Sequence, residues 1–129
     1  MPYVQIAAGA AAVLFLAVAV FQGLLAWGLP LGEAAWGGAA RILPTRLRVA
    51  SAIALFVWLG FACVVLAHAG VLSLGLDEGL VGVATWVIVV FLAVGTAMNA
   101  ASRSGTERRI WTPVAALAFF LTLAVAVWA

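Results

Sequence analysis

The sequence predicts an all-α integral membrane protein, a four-helix bundle with both termini outside and an amphipathic or re-entrant inner loop between helices 1 and 2. Three observations predict it. Of 129 residues, 68% are hydrophobic and 8% charged, and so few charges cannot cover the surface of a water-soluble domain of this size. Four apolar stretches lie at about 4–29, 49–71, 80–101 and 111–128, and none contains Asp, Glu, Lys or Arg. The polar interruptions between them carry charge of alternating kind.

Each stretch is close to the roughly 20 residues needed to cross about 30 Å of hydrocarbon at about 1.5 Å per residue. In hydrocarbon every backbone N–H and C=O must find its partner within the segment, so such stretches are helices. The first begins near the N-terminus and invites a signal-peptide reading. It lacks a basic leading region and is too long for the apolar core of such a peptide, so it is read as a span. Residues 1–129 then form a single transmembrane domain.

Orientation follows from the arginines. All six basic residues are Arg. Arg41, Arg46 and Arg48 lie between the first two stretches beside Glu33, and Arg103, Arg108 and Arg109 lie between the last two beside Glu107. The remaining interruption, about 72–79, holds Asp77 and Glu78 and no base. With four spans both Arg-bearing loops fall on one side, and the positive-inside rule makes that side cytoplasmic. Tyr3 and Trp128 then mark the outer interface, and Trp27 and Trp111 the inner one. Trp58 and Trp86 lie deeper and must pack or find an acceptor for the indole N–H. Small pairs at Ala8 and Ala12, Ala50 and Ala54, and Ala93 and Ala97, with Gly95, are candidate places of close helix approach.

Polar residues inside an apolar span are default pointers to function. Gln22 lies late in the first stretch and Asn99 late in the third, and both stretches run inward, so the two amides reach a similar depth. Thr96, Ser51 and Ser102 are candidates to join them in a polar vestibule. The segment 28–48 is too hydrophobic for a solvated loop and too broken by Gly and Pro for a span. Trp36, Ile42, Leu43 and Leu47 are placed to dip into the acyl boundary, with Glu33 as the segment's single acid and the six arginines as contacts for lipid phosphates. These residues equally serve topology and helix packing alone.

His68 is followed by Ser73 and Asp77, but no nucleophile elbow surrounds Ser73, so no catalytic residue is assigned and His68 is kept as a ligand candidate. One His, one Cys and no carboxylate inside the spans argue against a metal site or a cofactor. Cys63, alone in an apolar run, reads as a small buried hydrophobe. A net charge of +2 with no Lys reflects a shortage of acids, and no nucleic-acid partner is expected.

The runs Ala35–Gly38, Leu43–Val49, Met98–Ser104 and Trp111–Val114 resemble a group of small four-span membrane proteins from high-GC bacteria. The resemblance covers most of the chain and implies a multi-pass protein of the plasma membrane, with no activity to carry over. Small multidrug transporters, with a buried Glu in the first helix, and fluoride channels, with a Gly-rich start and Phe-rich third helix, fit poorly. The expected function is non-enzymatic: a homo-oligomer binding or conducting a small solute or lipid, or else a structural or accessory subunit. Four helices rarely enclose a pore alone, and the absence of a carboxylate in the spans argues against proton-driven exchange.

Orientation is testable with cysteines at Ile42→Cys or Glu78→Cys in a Cys63→Ala background. In intact cells an impermeant thiol reagent labels position 78 and spares position 42, and the reverse pattern inverts the topology.

Overall fold

The computed structural model describes residues 2–129, and its regular structure is helical. Four long helices, α1 (Pro2–Trp27), α2 (Thr45–His68), α3 (Glu78–Ala100) and α4 (Gly105–Trp128), run alternately up and down. Each is long and apolar enough to cross a membrane. The chain ends and the acidic turn 69–77 gather at one end of the bundle. Segments 28–44 and 101–104 gather at the other, the arginine end. α1 packs most extensively on α2 and α3 on α4, and the two hairpins join chiefly through α1 and α4.

Helices α2 and α4 begin earlier than the apolar stretches suggest, at Thr45 instead of 49 and at Gly105 instead of 111. Helical hydrogen bonding is local and continues past the apolar run; α2 starts after Pro44 without a side-chain cap, whereas α4 and α3 are capped. Ser104 caps α4, its hydroxyl accepting from the Glu107 N–H at 3.1 Å, and Asp77 caps α3, accepting from the Leu80 N–H at 3.3 Å. Arg46, Arg48 and Arg108 therefore sit in first helical turns, and Arg109 follows directly.

The helix dipole disfavours cations there, and Arg48 answers this by reaching across to the end of α1. Its Nε donates to the Ala26 carbonyl and Nη2 to the Trp27 carbonyl, both at 3.1 Å. One guanidinium thus caps the carbonyl end of α1, where positive charge is favourable.

The core occupies the acidic half and the middle of the bundle. Val4, Ala8, Ala11, Ala12 and Phe15 of α1 pack with Ala62 and Val65, Ile88 and Leu92, and Ala118 and Val125. The Ala8–Ala12 pair lies in this interface, as small residues permit close backbone approach. Ala93 and Ala97 are exposed, and nothing from the rest of the chain approaches Gly95. Trp58 finds its packing in a four-ring cluster with Phe15, Phe61 and Phe91, centroids 5.2–5.8 Å apart. Trp86 and Cys63 face outward instead.

The segment after α1 folds back against the arginine end as two single-turn 3₁₀ helices, Gly32–Ala34 and Trp36–Gly38. It is not a continuous amphipathic helix. Ala35 and Leu43 pack on Leu25 of α1, with Phe21 and Leu47 alongside. Of the four residues expected to dip into lipid, Leu43 is buried within the protein, Leu47 is half-buried, and Trp36 and Ile42 are exposed. The Gly32 N–H donates to the Arg41 carbonyl at 2.8 Å and closes the fold-back. A Cβ at Gly32 would lie 1.9 Å from the Ala40 oxygen and 2.7 Å from that of Arg41, a collision with backbone that no rotamer relieves.

Gly32→Ala is accordingly expected to open this segment while leaving the four helices formed. Limited proteolysis would show new cleavage within 28–44 at unchanged helical circular dichroism, and a wild-type cleavage pattern would refute the closure.

Candidate functional site

A cavity of about 490 Å³ lies at the arginine end between the helices and the folded-back segment. Small-molecule sites commonly measure about 300–1,000 Å³. Its floor is apolar, formed by Phe15 and Val18 of α1, Trp58 of α2, Leu92 of α3 and Ala118 of α4. The four-ring cluster around Trp58 and the packed acidic half lie beneath it. Its polar lining comprises Gln22, Asn99, Arg46 and Glu107, and Ala34 to Gly37 form the roof.

Gln22 and Asn99 both line it because α1 and α3 run in the same direction and both end at this face, at Trp27 and Ala100. The Gln22 Oε1 is buried and accepts no hydrogen bond from the described residues. The Thr112 and Thr122 hydroxyls are likewise buried without a partner among the described residues.

The roof is held by side chains of α2, α4 and the turn before α4. The Trp36 Nε1 donates to the Ser51 hydroxyl at 2.9 Å, and the Trp111 Nε1 to the Ala34 carbonyl at 2.8 Å. The Ser104 hydroxyl donates to the Glu33 carbonyl. The Gly37 N–H donates to Glu107 Oε2 at 3.1 Å.

That last bond has a local origin. Ser104-Gly105-Thr106-Glu107 has the spacing of a capping box, in which the glutamate normally returns to the cap residue's own N–H. Here the Ser104 N–H donates to the Ser102 hydroxyl at 3.1 Å instead, which frees the Glu107 carboxylate for the roof. Trp36 adopts a left-handed backbone, φ 51°, costing on the order of 1 kcal/mol for a residue with a side chain. Its indole bond to Ser51 and the neighbouring contacts hold it there.

The cavity thus unites Gln22, Asn99 and Arg46 of the residues singled out from sequence. Thr96 is not in its lining, because its hydroxyl donates back to the Leu92 carbonyl at 2.7 Å. The Glu33 residue is exposed and lies outside the cavity; the acid that lines it is Glu107. Ser51 and Ser102 serve the roof bonds. His68 lies at the opposite end, lining a separate depression with Ser73 and Glu78. Arg41, Arg103, Arg108 and Arg109 are exposed, and Arg108 also donates to the Ser102 carbonyl.

Glu107 and Trp111 had been read only as loop charge and interface anchor. The capping-box spacing was visible in the sequence, but the partner of the freed carboxylate, 70 residues away, was not.

Comparison with known protein families, with curated proteins and with solved structures finds no match to the chain. The fold itself defines the class: a small multi-pass membrane protein of four apolar helices.

Trp111→Phe keeps an aromatic ring against Phe21, whose centroid lies 4.8 Å away at a tilt of 52°, and removes the bond to Ala34, worth about 1 kcal/mol. Backbone amides at 32–38 should exchange with deuterium several-fold faster than in the wild type, with the helices unaffected. Unchanged exchange would show that the indole does not hold the roof.

Proposed function

We propose that this protein binds a small, largely apolar molecule at the arginine end of the bundle, in the cavity between Gln22 and Asn99. The observation that carries this reading is a cavity of ligand size with an apolar floor and the polar side chains of Gln22, Asn99, Arg46 and Glu107 gathered at its arginine end.

Binding is favoured over conduction because the cavity has a floor. A pore through one bundle would have to pass Phe15 and the Trp58 ring cluster, and then the tightly packed acidic half. The orientation we propose keeps the cavity on the cytoplasmic side of the plasma membrane, with Arg46 at its polar end. An accessory role without a ligand is the competing reading.

The two readings separate on Gln22→Leu with Asn99→Leu. Under the binding reading, native membrane lipid extract raises the melting temperature of the wild-type protein in detergent, since ligand at 100-fold over its Kd stabilises by about 2.7 kcal/mol. The double variant loses most of that rise, and Ala115→Phe, which fills the cavity, abolishes it. Under the accessory reading both variants shift baseline stability and the extract has the same effect on all three.

A further inference from the structure

The lining residues locate the mouth of the cavity. Roof bonds of Trp36, Ser104, Glu107 and Trp111 cover the end of the bundle, and the packed acidic half closes the bottom. Of the lining residues, Arg46 at the start of α2, Met98 near the end of α3, and Trp36 and Gly37 of the roof are exposed, and the rest are buried or half-buried. The mouth therefore lies between α2 and α3 under the edge of the roof.

The packing of these two helices agrees. Of the four pairs of neighbouring helices, α2 and α3 pack least extensively. Phe91 meets Trp58 and Phe61 at 5.8 and 5.2 Å and closes the seam at the level of the floor. One turn further along α3, a Cβ at the half-buried Gly95 would meet nothing within 4 Å. Arg46 and Met98 lie within a turn of the helix ends at this face. In helices that cross a membrane, that depth is the boundary between hydrocarbon and head groups, so the mouth faces the leaflet on the arginine side.

A guest entering from that leaflet has hydrocarbon to offer. At about 30 Å³ per heavy atom, the share a water takes in the liquid, a cavity of about 490 Å³ holds roughly 16 such atoms. One lipid tail fills it, and a whole diacyl lipid does not, so the head group stays outside. Leu14, Phe15, Val18, Leu92 and Val114 give the tail alkyl and ring surface. At the mouth Arg48 is committed to the carbonyl end of α1, whereas Arg46 is exposed. A guanidinium at head-group depth pairs with phosphate.

We infer, resting on the binding reading above, that one acyl chain of a phospholipid in the arginine-side leaflet enters between α2 and α3 and occupies the cavity, with its phosphate outside on Arg46.

The test is photolabelling of the full chain in phosphatidylcholine nanodiscs, read residue by residue by mass spectrometry. One probe is a phosphatidylglycerol with a diazirine at the end of its palmitoyl chain, and the other is a diazirine-bearing alkane with no head group. Outward residues such as Ile53 and Phe120 are exposed and should take label from both. Phe15, Leu92 and Ala118 line the cavity and are closed to lipid outside the bundle, and the lipid probe should label them too. Ala115→Phe, which fills the cavity, should abolish that interior labelling and leave the outward labelling unchanged. Arg46→Gln should lower interior labelling by the lipid about fivefold, as expected for one partly screened ionic contact, and leave the alkane unaffected.

Interior labelling by the alkane alone overturns tail insertion and leaves a binding cavity in place. Absence of interior labelling by either probe overturns the binding reading as well. Equal labelling of Arg46→Gln overturns the phosphate contact. The wild-type pattern decides tail insertion without any variant.

Discussion

Every backbone N–H and C=O in an apolar surrounding must have a partner, and this constraint shapes the whole molecule. The four long helices meet it internally. The segment 28–44 cannot, because Gly and Pro break any continuous helix there, and it closes on itself at Gly32 and Arg41 and takes further partners from Ser104, Glu107 and Trp111. Borrowing those partners draws the segment over the helix ends and makes it a roof. The cavity exists because the roof is tied to α2 and α4, and so spans the space between helices without filling it.

The arginines show two requirements in conflict. Topology places positive charge on one side, and the chain meets this partly with Arg46, Arg48 and Arg108 in the first turns of α2 and α4, where the dipole opposes them by about 0.3–1 kcal/mol each. The structure relieves the conflict locally. Arg48 is turned onto the carbonyl end of α1, and Ser104 and Glu107 supply acceptor and negative charge at the start of α4. One residue consequently does two jobs: Glu107 offsets the dipole of its own helix and holds Gly37 of the roof.

The bundle is divided along its length by residue size. Alanines at 8, 11 and 12 let α1 lie close to its neighbours in the acidic half, where the interior is closed. Toward the arginine end Phe15, Trp58, Phe61 and Phe91 hold the helices at the spacing of aromatic rings, and beyond them the gap widens into the cavity. A packed half anchors the geometry of a looser half that holds the cavity.

The number and helical character of the spans were determined by the sequence alone, since uninterrupted apolar runs in hydrocarbon admit no other backbone. The similar depth of Gln22 and Asn99 was legible for the same reason: it requires only 1.5 Å per residue and an even number of reversals. The tertiary structure alone decided that Thr96 bonds its own helix, that Arg48 caps α1, and that Glu107 and not Glu33 lines the cavity. These outcomes depend on which side chains meet across the bundle. A hydroxyl, guanidinium or carboxylate has several partners within reach along the chain, and only packing between distant segments selects one.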